Sequence, residues 1–552
     1  MRRPVLSQKR LSSSLPLGFL LIAASGCYSA TEGKPIPDEI IYFPVGLAVS
    51  GDGQSLIIAN SDFDLQYSTG TLGVLDLNRI DALLDAPRNP VDSANPCGAF
   101  PLRPVNEQLV YPGRCAAIDP RTPPDGVSLY TDHVRIGAFA TDVVYRTMVP
   151  SGIGRVFAPV RGDATLHWAD IEAGRLDCGQ VDNNDQCDDA HRAGNNAAQE
   201  NTRDLRLGAE PYGLDVSPTG SSILVTNQTT GKVSLFLHSP KDAYSNGLKE
   251  PPDINYKEGP RLQFEVTNLP SRPVGVAALP IPALAWALLP GAETPVSSVY
   301  SDGFLVTYRN APQIDLIRVL LDEPGVPRRP YASRANSADV RTNSISTDSR
   351  DIAIDDSARR KAELACLAQQ GLPSSCASRF CDEATPEQRE ALQACLRVAD
   401  TTQVDVFVAN RTPASLLVGR MIPAVNNFFS SEIPAFYDSI PLSSGPARVV
   451  VGEVTLPDST PERPLRETRV FVSCFDSRQV YIYDPRRRQV EATVSTGRGP
   501  HALAVDAERG YLFVGHFTDS YIGVVNLNQR YPRTYAKMIA GIGIPTAPRA
   551  SK

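Results

Sequence analysis

Gly208-Ala-Glu-Pro-Tyr-Gly-Leu-Asp-Val-Ser-Pro-Thr-Gly220, Ser221-Ser-Ile-Leu-Val-Thr-Asn227 and Gln228-Thr-Thr-Gly-Lys-Val-Ser-Leu-Phe-Leu237 are consecutive. They hold three short apolar runs, each too brief for a helix and each ended by turn residues. Pro218-Thr-Gly220 punctuates a hairpin between the first two runs, and Val233 to Leu237 alternates with the period of a strand. A fourth run, Leu262-Gln-Phe-Glu-Val266, follows. The unit therefore reads as a four-stranded antiparallel sheet, strands a to d.

The b-strand signature, apolar-apolar-small-polar, recurs along the chain. It appears as Ile57 to Asn60, Val156 to Pro159, Leu224 to Asn227, Leu305 to Tyr308, Phe407 to Asn410, Phe471 to Cys474 and Phe513 to His516, seven copies in all. Six copies are followed about five residues later by an alternating strand; in the first, a longer loop delays it to Leu72 to Leu77. Short a strands precede the signature at Gly46 to Ser50, Gly213 to Ser217, Gly275 to Leu279 and His501 to Val505. A fixed internal period of this kind predicts an array of identical sheets.

The pattern resembles the YVTN-type β-propeller repeat, roughly G-x-x-P-x-x-[LIV]-A-V-S-x-D-G, then YVTN, then a V-x-V-I-D strand. Gly208 to Leu237 and Gly497 to Leu527 match it best, and the unit near Ser349 is stretched by about fifty residues between its first two strands. The resemblance implies an all-β, seven-bladed propeller over residues 41–545, followed by a tail, 546–552. Tyr535 to Pro545 copies Val490 to Pro500, yet no unit follows it, so the C-terminal strand is expected to complete the ring beside the first blade. Related propellers include lactonases and cofactor-dependent dehydrogenases, so fold alone leaves an enzyme open.

In such a blade the a–b and c–d loops share one face, and nearly all long insertions fall there. They are 79–128, 172–200, 239–261, 322–340 and 422–434 after c strands, and 280–300, 356–402 and 455–467 between a and b. Long loops cost little stability and carry recognition, so this face is the expected interaction surface. Within 356–402, Asp356 to Leu367 is helical in period, and Thr385-Pro386 reads as an N-cap followed by the first helical residue, giving a helical hairpin.

The N-terminus supplies an address. Arg2, Arg3, Lys9 and Arg10 precede an apolar run, Leu15 to Ala24, and then Ser25-Gly26-Cys27. This order reads as a secretory signal peptide, 1–26, too short to span a bilayer. Leu21-Ile-Ala-Ala-Ser-Gly-Cys27 resembles the lipobox of bacterial lipoproteins, which implies lipidation of Cys27 and a tether, 27–40. The protein is then expected in the cell envelope, held on the outer membrane by a lipid anchor on its periplasmic or outer side.

Ten cysteines suit that oxidising compartment. Cys97 with Cys115 and Cys178 with Cys187 lie within single insertions. Cys366, Cys376, Cys381 and Cys395 permit three pairings, of which nested Cys366–Cys395 and Cys376–Cys381 best suits antiparallel helices. Cys474 is left over and reads as a buried thiol. No C-x-x-C motif occurs, which removes the sequence basis for zinc ribbons, thioredoxin-like sites and c-type haem.

Other chemistry is sparse. The net charge is −7, and setting aside the four cations of residues 1–26 leaves −11 on the body, which argues against nucleic acid as a partner. No G-x-S-x-G, H-E-x-x-H, Walker or dinucleotide fingerprint appears, and no catalytic or metal residue is assigned. Asp182 to Asp185, with Asp188 and Asp189, reads as a solvated acidic loop, with calcium as the alternative. In a regular hairpin His501 sits opposite His516, with Cys474 at the matching place in the next blade, a set a transition metal could use. The apolar loop Ile281 to Leu289, with Trp286, is expected to lie under neighbouring insertions or to touch a partner or lipid. The function expected is a non-catalytic binding or assembly module with a protein or cell-surface partner; the alternative is a periplasmic hydrolase of the lactonase type at the channel mouth.

Overall fold

The computed structural model describes residues 34–90, 95–103, 111–148, 152–179, 186–195, 203–238, 259–291, 296, 299–320, 330–340, 347–422 and 432–546. The signal segment, Cys27 and Asp182 to Asp185 lie outside them. Seven antiparallel sheets form the blades of a propeller. From inner to outer strand, blade 1 is Pro44–Val49, Ser55–Asn60, Gly70–Asp76 and Tyr130–Ile136. Blade 3 is Pro211–Val216, Ser222–Asn227, Lys232–His238 and Pro260–Val266. The stretched unit does form a blade, the fifth, with Ser349–Asp355, Val404–Arg411, Ala414–Met421 and Ala435–Pro441. Every signature tetrapeptide falls in a second strand.

The b strands are buried on both faces because each blade packs against two neighbours. The apolar core is accordingly a series of layers between blades. Phe157, Leu166, Ile223 and Val225 fill the gap between blades 2 and 3. Ile58, Leu56, Phe513 and Ile522 fill that between blades 7 and 1.

The C-terminal strand, Met538–Ile542, is the outer strand of blade 7, and it lies against blade 1 at the closing seam. Ile118, from the blade 1 insertion, donates its N–H to Gly541 O at 2.8 Å and accepts from Gly543 N at 2.8 Å. The first blade's insertion thus covers the free edge of the last blade's outer strand, which is how an exposed strand edge is neutralised here.

Two insertions differ from their expected form. Residues 331–339, inside the expected insertion 322–340, are the outer strand of blade 4. The insertion 172–200 interrupts an outer strand: Arg175–Asp177 and Arg192–Ala193 both pair with the third strand of blade 2, on either side of the Cys178–Cys187 disulfide. The chain continues the ladder on both sides of the loop because a lone c strand would leave its polar backbone unpaired.

On the insertion face helix α1, Leu77–Arg88, starts directly after the third strand of blade 1. A short helix α2, Ala283–Ala287, replaces the expected apolar loop. Helices α3, Ser357–Gln369, and α4, Pro386–Ala399, form the hairpin, and Thr385 with Gln388 makes a reciprocal capping box at the start of α4.

Candidate functional site

Each blade delivers the start of its first strand to the channel, and a repeated irregularity decides what faces inward. The last tetrapeptide residue pairs with the residue opening strand a: Asn60 with Pro44, Asn227 with Pro211, Tyr308 with Pro273, Asn410 with Ser349, Cys474 with Pro446 and His516 with Pro500. In all six pairs the register then shifts by a bulge, which re-aims the next side chains into the channel mouth. Tyr212, Arg350, Arg448 and His501 arrive there in this way.

The bulge separates the two histidines that a regular hairpin would place opposite each other. His516 pairs with Pro500 and lies wholly buried, its ring stacked on Tyr521 at 4.1 Å and its Nε2 accepting from Gly497 N at 3.2 Å. His501 lines the cavity at the mouth. Burial holds both imidazoles down to about 3, so both are neutral at physiological pH. Cys474 is a buried free thiol, pushed up to about 12 by burial. The expected trio therefore does not converge.

Among the described residues, the one set of His, Cys, Asp or Glu close enough to share an ion is Cys376, Cys381 and Glu383, and its two sulfurs are joined to each other. Disulfides also join Cys97 to Cys115, Cys178 to Cys187 and Cys366 to Cys395, the nested arrangement in the hairpin. Asp188 is spent locally, accepting from His191 N and contacting its Nδ1 at 2.7 Å.

The channel mouth on the short-loop face holds two adjoining cavities of about 200 and 250 Å³ that share Thr141, Tyr212, Phe475 and His501. Their floor is a buried ion cluster. Arg448 of blade 6 bonds Asp142 at the start of blade 2, across the channel, and lies 3.7 Å from Asp351 of blade 5. Asp351 also accepts from Val449 N at 2.9 Å, and its carboxyl is raised to about 6, first by burial, against the pull of Arg448. Around this floor Arg411 bonds Asp476 at 2.5 Å and Arg161 bonds Glu210 at 2.6 Å.

The insertion face has a different character. Asp400, at the end of α4, accepts from Ala283 N at 2.9 Å and Leu284 N at 2.7 Å, capping the start of α2. Gln393 donates to Ala287 O at 2.9 Å at the other end. Blades 4 and 5 therefore share one platform, with Trp286, Leu289 and Phe380 buried inside it. Of nine exposed large apolar side chains among the described residues, five lie on this face: Leu102, Val127, Ile153, Leu288 and Val398. No described helix is long and apolar enough to cross a membrane.

Fold and channel define a seven-bladed β-propeller. The chain is similar to a putative 6-phosphogluconolactonase from Bacteroides uniformis, at 12% identity over 83% of this chain and 86% of that one, TM-score 0.39. It is also similar to the periplasmic gluconolactonase PpgL of Pseudomonas aeruginosa, at 12% identity over 83% and 86% of the two chains, TM-score 0.38. The β-propeller domain of Myceliophteria thermophila Cps50 (Swd1) matches at 8% identity over 89% and 97%, TM-score 0.42. No protein-family model matches the chain, and no curated protein matches it. At these identities the likeness concerns the fold alone.

Proposed function

We propose that the protein is a lipid-anchored cell-envelope propeller of the YVTN-repeat type, a non-catalytic binding or assembly module that docks a protein or cell-surface partner through its insertion face. The supporting observation is the platform of α2, α3 and α4. It is stapled by two disulfides and locked to a second blade's insertion through Asp400, and it carries exposed Val398 and Leu288 outward. A rigid surface with apolar anchors loses little entropy on docking, which is what a stable interface needs. The anchor is Cys27, and the expected tether, 27–40, sets the reach from the outer membrane only in its first part, because its end is docked on blade 1, with Ile36 buried and Asp38 held by Arg135 at 3.0 Å. The alternative, a hydrolase of the lactonase type, draws on the cavity floored by His501 and Asp142. Both carboxylates lining that cavity are engaged, Asp142 by Arg448 and Asp476 by Arg411, which leaves no free carboxylate among its described lining.

The test compares wild type with a variant whose 356–402 segment is replaced by a short Gly-Ser turn. Each is cross-linked in cells, purified without reductant and examined by mass spectrometry. A partner cross-linked to the platform in wild type and lost in the variant is expected; a set of partners identical in the two overturns the assignment. Cys27→Ser is expected to move the protein from the membrane to the soluble fraction. Wild type already found in the soluble fraction removes the anchor.

A further inference from the structure

The channel mouth lies on the face opposite the proposed docking platform, and its two sides differ in chemistry. Blades 1, 6 and 7 supply an aromatic wall. Phe63 packs on Phe139 at 5.9 Å and on Phe517 at 5.1 Å, and Phe517 continues to Phe475 at 6.3 Å and His501 at 6.4 Å. Phe63 remains 48% exposed although it belongs to this cluster, so the wall ends in an open apolar rim.

Blades 3 and 4 supply donors that lack a hydrogen-bond partner among the described residues. Arg309, in the turn after the second strand of blade 4, lines the larger cavity with a side chain that is 29% exposed. Its nearest carboxylate oxygen, Asp348 Oδ1, is 3.7 Å away, too far for a hydrogen bond. That carboxylate is already held by Arg350, at 2.6 Å from Nε and 2.8 Å from Nη2. Two guanidiniums therefore share one carboxylate, and Arg309, beside the larger cavity, is left without a carboxylate of its own. Burial, and then the Arg350 charge, holds the Arg309 guanidinium below its ordinary value, as expected of a cation lacking its own counter-ion.

The Tyr212 hydroxyl and the Gln228 amide line the same cavity and have no hydrogen-bond partner among the described residues. His501 Nδ1 is buried and unpartnered. A buried polar atom is normally satisfied in a folded protein, so the unpartnered His501 Nδ1, close to the half-buried Tyr212 and Gln228, marks a place for a bound polar group.

We propose that the channel mouth is a binding site for a small organic monoanion, a carboxylate whose apolar or ring-shaped body lies on the phenylalanine wall and whose charge is taken by Arg309. A guanidinium fork matches a carboxylate in two-point geometry, and the cavity walls lower the local dielectric and strengthen that contact. Tyr212 and Gln228 add neutral donors, and His501, uncharged, adds polarity without a second positive charge. With a single guanidinium lacking its own carboxylate beside the larger cavity, and the Asp142 and Asp351 carboxylates in the adjoining floor, the site favours a monoanion over a dianionic phosphate ester.

The test is calorimetric titration of the purified protein with phenylacetate, its neutral amide phenylacetamide, and phenyl phosphate. One-to-one binding of phenylacetate is expected, with phenylacetamide and phenyl phosphate both weaker. Arg309→Met should weaken phenylacetate about tenfold or more, and Phe517→Ala should weaken it as well. Arg486→Met, on the far face, should leave it unchanged. No heat from phenylacetate at millimolar concentration overturns the proposal. So does phenylacetamide binding equally well, or phenyl phosphate binding more tightly, or unchanged affinity in Arg309→Met. Should Arg309→Met fail to fold, Arg309→Gln is the replacement variant, and unchanged affinity there overturns the proposal in the same way. The outcome is independent of the platform: loss of a partner in the 356–402 variant leaves this site standing, and absence of anion binding leaves the platform standing.

Discussion

His516 takes the place that asparagine holds in other blades. Asn60 Nδ2 donates to Thr71 Oγ1 at 2.9 Å, and Asn227 Nδ2 to Ser234 Oγ at 2.7 Å, each reaching strand c. Tyr308 reaches Asp315 there at 2.7 Å. His516 instead accepts from the incoming linker at Gly497, and it can do so only while neutral. An unfolded histidine takes its proton near 6.5, whereas the buried one holds out to about 3. Between those values the unfolded chain binds a proton that the native protein refuses, so stability present above the upper value is lost as pH falls towards the lower. Asp62 and Asp351, raised to about 7 and about 6 by burial, pull the opposite way as acid is added, so only the difference between variant and wild type isolates His516. His516→Gln, which keeps an acceptor but cannot titrate, should cost about 1–3 kcal/mol at neutral pH. The gap should shrink at acid pH in denaturant melts; a gap constant with pH means His516 carries no burial penalty. The tetrapeptide was legible because one polar residue recurs at its end. Its partner was not, because asparagine, tyrosine and histidine reach different atoms from the same place. Asn410 differs again, donating to Pro413 O at 2.7 Å in the turn that follows it.

Strand a owes its glycine to the neighbouring blade. A Cβ on Gly213 would stand 1.9 Å from Val274 O, one on Gly46 2.3 Å from Val143 N, and one on Gly275 2.8 Å from Asp351 Cα. In each case backbone at or just before the next inner strand stands in the way, joined at Gly275 by Thr307 Oγ1 at 2.7 Å, and backbone cannot swing aside as a side chain can. Gly213→Ala must therefore push blades 3 and 4 apart at the channel, at about 3 kcal/mol or more. A melt showing less than about 1 kcal/mol of loss would mean that the inner strands slide freely. The repeat made these glycines visible in sequence, but not the reason for them, since the contact crosses between units. The channel site was hidden for the same cause. Arg309, Tyr212, His501 and Phe63 come from four blades, one residue each, and the bulge that turns strand a inward leaves no local motif. Trp286 was obscured differently: an apolar stretch interrupted by prolines reads as a loop, and its short helix exists because Asp400 and Gln393, over a hundred residues later, cap both ends. Asp400→Ala should unseat α2 and cost about 2–4 kcal/mol, since it frees two N–H donors and removes one of the two carboxylates, Asp400 and Asp356, that stand 3.6 Å from the buried Arg359. Asp400→Asn, which keeps one acceptor, should recover part of the loss. Equal losses in the two variants would show that the charge, not the cap, is what matters.

A ring of seven sheets must hold itself shut somewhere, and here the seam lies between blades 7 and 1. No strand is exchanged across it, because each of the two blades contains four strands of its own. The seam relies instead on packing and on a few bonds from the first blade to the last. Arg509 donates to Gly53 O at 2.7 Å, Phe43 N donates to Ser520 Oγ at 3.1 Å, and Ile118 makes its two bonds on the outer strand. Ile118 is held in place by its own insertion, in which Cys115, three residues earlier, is bonded to Cys97. The disulfide therefore acts on the ring at a distance: by fixing Cys115 to Cys97 it keeps the latch registered against Met538–Ile542. Ile118→Pro removes the donor to Gly541 and should speed hydrogen exchange in Met538–Ile542 and in its neighbour Tyr521–Asn526, with the strands of blades 3 to 5 unchanged. Replacing Cys97 and Cys115 together by alanine should give the same regional pattern more weakly, since the latch can still form but is no longer prepositioned. Exchange that quickens evenly round all seven blades in either variant would mean that the ring opens as one unit and that the seam is not its weakest point. A pattern confined to blade 7 would place the first step of unfolding at the seam and make the insertion of blade 1 the part of the decorated face that serves the fold.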